Sequence, residues 1–186
     1  MGVTTIRIAL AAGLSVALLG AQDAGPAAVG ALYVAAVTAA LVRYDLRERR
    51  LPNALVLPGL AFVAVGAVWS VLSGAGGIAL VVAAALCSLG VLLAFLVLAC
   101  GGGLGMGDVK LAALLASALA ALVAERGPPG EAVAAVAAWV VASLVLGGLA
   151  AGMLLGSRVG TTLGGPVELP FGPVLLVTFW AVALGW

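Results

Sequence analysis

The chain has 186 residues, of which 65% are apolar and only 8% charged, with a mean hydropathy of +1.34 and a formal net charge of +1. A soluble globular domain carries about a quarter charged residues, so that class is excluded, and with no basic tract beyond one short loop no nucleic-acid partner is expected. There is no histidine and no CxxC pair among the two cysteines, which removes a zinc site and a histidine-dependent nucleophile from consideration; no metal and no other cofactor is expected.

The apolar residues come in continuous rather than alternating runs, which suits membrane-spanning helices and not a barrel. The expected fold is all-α, a polytopic membrane helix bundle of about seven spans near 7–22, 26–42, 54–73, 78–100, 108–124, 131–156 and 171–186. The first span, with Arg7 and small residues around Gly20, has some features of a cleaved signal peptide, but a single basic residue is a weak n-region and a retained helix is expected. Residues 1–24 then form an additional N-terminal transmembrane helix ahead of a six-helix membrane domain over 25–186.

The second span gives way to Arg43-Tyr44-Asp45-Leu46-Arg47-Glu48-Arg49-Arg50. Pro52-Asn53 reads as a helix start with Asn53 as its cap, and Pro58 can kink the third span. Cys87 and Cys100 share the fourth span and read as small apolar packing residues. Five glycines fall among the seven residues from Gly101 to Gly107, a turn with tight geometry. After the fifth span comes a polar break from Glu125 to Gly130. On the sixth span Gly148, Gly152 and Gly156 repeat on one face, a signature of close packing that is expected within the same chain. Glu168-Leu169-Pro170-Phe171-Gly172-Pro173 leads into the last span.

Alternating the loops across the bilayer puts Arg7, Arg43, Arg47, Arg49, Arg50, Lys110 and Arg158 on one side and Arg126 alone on the other. The positive-inside rule therefore orients the N-terminus to the cytoplasm. Asp45 and Asp108 fall on the same cytoplasmic face.

Each acid has a plain reading: Asp45 as a solvated juxtamembrane charge among arginines, Asp108 as a helix cap. Ionisable residues at a membrane segment are nonetheless functional candidates, and two acids on one face, with no other catalytic residue type present, suit an aspartyl hydrolase. Held close, two carboxyls cannot both ionise, so one stays protonated while the other serves as base for water. The base activates water against an amide carbonyl; the acid polarises the carbonyl oxygen and later protonates the leaving nitrogen. Gly105 and Gly107 would permit an extended segment beside Asp108 for a docking peptide. Lys110 needs no role beyond a positive-inside charge. The Pro170-Phe171-Gly172-Pro173 loop would fix how the final helix enters, with Glu168 a weaker candidate for substrate contact.

In three separated pieces the chain resembles the type IV prepilin leader peptidases, membrane aspartyl proteases with a GxGD motif. Asp45-Leu46 with Leu51-Pro52-Asn53 and Pro58 is similar to their first-aspartate segment, Gly105-Met106-Gly107-Asp108-Val109-Lys110-Leu111 to their GxGDxKL segment, and Pro170-Phe171-Gly172-Pro173 to their PFGP segment. The resemblance implies Asp45 and Asp108 as the catalytic pair. Gly105, Gly107, Lys110, Pro170, Phe171, Gly172 and Pro173 would bind substrate or shape the site. The substrate implied is a pilin-like precursor protein, cut at the cytoplasmic boundary of the inner (plasma) membrane in service of type IV pili or protein secretion. Larger members add a domain with paired CxxC motifs and an N-methylation activity; the chain resembles the short, cleavage-only form. The competing readings are a presenilin-like or signal-peptide-peptidase-like protease, to which Tyr44-Asp45 gives some footing but Pro-Phe-Gly-Pro in place of those families' late Pro-Ala-Leu does not, and a small transporter using the acids as an ion relay.

Overall fold

The computed structural model describes residues 3–21, 25–48, 51–102, 104–157 and 170–185. Their regular structure is entirely helical: α1 (Val3–Ala21), α2 (Ala28–Glu48), α3 (Asn53–Leu72), α4 (Ile78–Cys100), α5 (Met106–Ala124), α6 (Pro129–Ser157) and α7 (Gly172–Gly185). The seven expected helices are present, and α2 to α6 are long and apolar enough to cross a membrane. The apolar stretches of α1 and α7 are shorter. α7, with 14 residues, is about 21 Å long at 1.5 Å per residue, against a hydrocarbon thickness of about 30 Å.

α5 is the axis of the bundle, touching α2, α3, α4, α6 and α7, while α1 packs outside on α2 and α7. Every residue of α5 from Leu111 to Val123 is buried. Its composition explains this, since alternating Ala and Leu let neighbouring helices close in on all sides. The outer helices keep much of their apolar surface exposed, including Val65, Leu72, Leu86, Val97 and Met153, as a surface bathed in lipid requires. Small residues also bring α2 and α3 together: a Cβ on Gly66 would lie 2.8 Å from the Pro26 carbonyl oxygen. α1 joins the core through Leu18, which is fully buried.

Few polar side chains lie inside, and these bond along or between helices. Thr178 and Ser143 pair at 2.7 Å between α7 and α6, the Trp180 indole donates to Thr38 Oγ1 at 3.2 Å, and the Trp139 indole donates to the Leu175 carbonyl at 3.2 Å.

The structure differs from the sequence reading in several places. α2 continues to Glu48, six residues past its expected end, so Asp45 is a helix residue and not part of a loop. Asn53 does not cap α3: Pro52 occupies the cap position with no side-chain bond, and Asn53 is the first helical residue. Among the described residues the face carrying Gly148 and Gly152 is open, for a Cβ at either would meet none of them within 4 Å; Gly147 makes the close contact. The surroundings of Gly156, and Arg49, Arg50, Arg158 and Glu168 altogether, lie outside the described residues. Cys87 and Cys100 are both free, one buried and one exposed.

Candidate active site

Asp45 belongs to the buried stripe of α2. Ala31, Val34, Thr38, Leu41 and Asp45 succeed one another at steps of three and four residues and all face the core, the spacing that keeps side chains on one side of a helix. The intervening Arg43, Tyr44, Leu46 and Arg47 turn elsewhere. Asp45 is 5% exposed, and a carboxylate so enclosed must find a donor.

That donor is the start of α7. The backbone N–H of Gly172 donates to Asp45 Oδ2 at 3.0 Å, so a first-turn amide, with no partner inside its own helix, meets an acid at the positive end of the helix dipole. The contact depends on glycine: a Cβ there would lie 2.8 Å from Oδ2 and 3.1 Å from Cγ of Asp45. Phe171 holds the segment in position. It is buried, its ring stands 6.4 Å from that of Phe95 on α4, and its edge occupies the space a Cβ on Gly147 of α6 would take. Pro170 and Pro173 flank this pair half-buried. Pro173, in the first turn of α7, gives up an N–H that would have had no helical partner.

Asp108 is reached from the other direction. Gly105 is the N-cap of α5 in extended conformation (φ −77°, ψ 148°), and Asp108 is the third residue of the helix. Its Oδ2 lies beside the cap, 3.5 Å from where a Cβ on Gly105 would stand, the side from which an acid at this position reaches back in a capping box. The other oxygen, Oδ1, is buried without a hydrogen-bond partner among the described residues. The position of Asp108 is thus compatible with both the helix-capping and the catalytic reading, with one oxygen beside the cap and one left over.

The two acids act on one another electrostatically, and their helices form a closed triangle in which α2, α5 and α7 each touch the other two. Each carboxylate lies at the opening turn of a helix, Asp45 at α7 and Asp108 at α5.

The remaining motif residues are structural neighbours of the pair. Gly107 is helical, and its lack of a side chain admits Leu51, whose Cβ and N would lie 3.0 and 3.3 Å from an added Cβ. Positive φ in this turn is found at Gly102 (φ 79°), not at Gly105 or Gly107. Lys110 Nζ donates to Asn53 Oδ1 at 3.0 Å, tying the start of α5 to the start of α3. Sequence reasoning did not assign the Gly172 amide to Asp45, nor Leu51 and Asn53 to the glycine motif. Only the buried register of Asp45 left a trace in the sequence, in the apolar spacing of α2.

Comparison with known proteins finds a family model described as the type IV leader peptidase family matching residues 31–161. No curated protein and no solved structure gives a significant match. The match spans α2 to α6 and contains both acids.

Proposed function

Because the chain belongs to the type IV leader peptidase family, and so is a membrane-embedded peptidase acting on protein, we propose that it is an aspartyl endopeptidase removing the leader of type IV prepilin-like precursors. Cleavage occurs at the cytoplasmic face of the inner membrane, and Asp45 and Asp108 are its catalytic residues. The single observation that carries the reading is the pairing of a buried Asp45 with an Asp108 that keeps one buried oxygen without a partner among the described residues.

In this reading the pair holds one proton between its two carboxyls. The ionised member takes a proton from water as the water oxygen attacks the scissile carbonyl, while the protonated member donates to the developing oxyanion. Collapse of the tetrahedral adduct breaks the C–N bond: the amine leaves with the proton first taken from water, and the hydroxyl proton of the adduct returns to the pair, restoring its single shared proton. The roles belong to the pair and not to either residue alone. The amide of Gly172 keeps one oxygen of Asp45 occupied, which aims the other and limits its rotation.

The ion-relay alternative is disfavoured by depth. Asp45 lies in the last turn of α2 and Asp108 in the first turn of α5, at one end of the bundle, whereas a relay calls for acids along the span.

The test is cleavage of a purified pilin-like precursor by Asp45→Asn and Asp108→Asn enzymes in detergent. Both isosteric variants should insert and fold normally yet lose about 10²–10⁴-fold in rate. Wild-type turnover by either one would refute the dyad.

A further inference from the structure

At the same end of the bundle, Arg7 of α1 and Arg43, Tyr44, Arg47 and Glu48 of α2 line a cleft of about 260 Å³. Arg43 and Arg47 stand one turn apart on α2, and Asp45, two residues from each, points about 160–200° away around the helix. The cleft is therefore separate from the candidate active site. It gathers three guanidinium groups against one carboxylate.

Two observations indicate what would occupy it. Among the described residues Arg7 Nε is buried without a hydrogen-bond partner, a state a charged donor leaves only by meeting an acceptor. Its neighbours Ile6 and Ile8 are 58% and 64% exposed, an apolar surface that belongs at the edge of the hydrocarbon. An acceptor arriving at that level comes from the bilayer rather than from bulk water. Phosphate suits the lining, because guanidinium forks pair with its oxygens two at a time. Tyr44, 38% exposed at the mouth, is the residue type that settles among headgroups.

We infer that the cleft between α1 and the end of α2 binds the phosphate of an anionic phospholipid from the leaflet bordering the catalytic end. Basic pockets between helices are known physical recognition sites for such headgroups. A bound headgroup clamps α1 to the turn of α2 that carries Asp45. Because retention of lipid is measured without any cleavage, this inference stands or falls independently of the peptidase reading.

The test is native mass spectrometry of the full chain titrated with phosphatidylglycerol, phosphatidylcholine or inorganic phosphate. Wild type should retain phosphatidylglycerol well above phosphatidylcholine, and inorganic phosphate should not displace it. Arg7→Gln, Arg43→Gln and Arg47→Gln should each weaken retention about fivefold, and the triple variant should abolish it. Arg126→Gln, at the other end of α5, should change nothing. The single variants carry the test if the triple variant does not fold. Equal retention by the glutamine variants, equal retention of the neutral lipid, or equally tight binding of inorganic phosphate would overturn the assignment.

Discussion

Gly172 and Asp45 stand 127 residues apart in the chain and meet through one hydrogen bond of 3.0 Å, from the first amide of α7 to a carboxylate in the last turn of α2. The match to the family ends at residue 161, so this partner of a proposed catalytic acid comes from beyond the matched region.

Replacing Gly172 by Ala puts a methyl group 2.8 Å from Asp45 Oδ2, so the carboxylate must rotate or α7 must retreat. Gly172→Ala should reduce kcat at least about tenfold, equivalent to about 1.4 kcal/mol of transition-state stabilisation, while circular dichroism remains wild type. Undiminished kcat would show that the amide does not orient the acid.

Phe171 and Gly147 should behave as one unit. Phe171→Ala empties a buried site beside Phe95, at a cost of about 3–5 kcal/mol, and frees the neighbouring Gly172 amide. Gly147→Ala pushes a methyl into the same ring. Both should lower the thermal midpoint in detergent and lower kcat, and the double variant should be less damaged than the sum of the singles.

The two glycines before Asp108 should separate. A Cβ on Gly105 makes only ordinary contact, 3.5 Å from Asp108 Oδ2, whereas one on Gly107 comes within 3.0 Å of Leu51. Gly105→Ala should change stability by less than about 0.5 kcal/mol, and Gly107→Ala should cost about 1–3 kcal/mol by overpacking. Denaturation of the two purified variants gives the comparison directly.

Glu125 provides a control at the far end of the bundle. Its Oε1 accepts from the Ala27 N–H at 3.1 Å and from Ser70 Oγ, fastening the start of α2 and the end of α3 to the end of α5. Glu125→Ala strands both donors and should cost about 1–3 kcal/mol of stability. Turnover of the folded fraction should match wild type, because neither acid of the candidate site is near; a matching loss of kcat would contradict this separation.

Much of the fold was legible in the sequence because apolar run length and polar breaks are local properties. The positions of the helices followed from them, as did the grouping of Arg7, Arg43, Arg47 and Lys110 with both acids at one end. Asp45 was assigned to a loop because its neighbours are arginines, although the steps Ala31, Val34, Thr38, Leu41, Asp45 already continued the core face. What could not be read was partnership across the chain. The choice of Asn53 for Lys110, Leu51 for Gly107 and Phe171 for Gly147 depends on how helices cross, which no local pattern encodes. The same limit applies to Gly148 and Gly152, where spacing identified a face of α6 but not what, if anything, it meets.

The enclosure of α5 also bears on biogenesis. During synthesis α5 emerges before α6 and α7, two of the five helices that later surround it. Until they arrive its flanks face acyl chains, which are as apolar as the side chains that will replace them. Past its first turn the helix needs no polar partner to wait: Ser117, its sole hydroxyl, donates to its own Leu114 carbonyl at 2.8 Å. Its two charged residues, Asp108 and Lys110, are confined to the opening turns. The central post of the assembly can therefore stand alone in the bilayer and receive its neighbours in the order the ribosome delivers them.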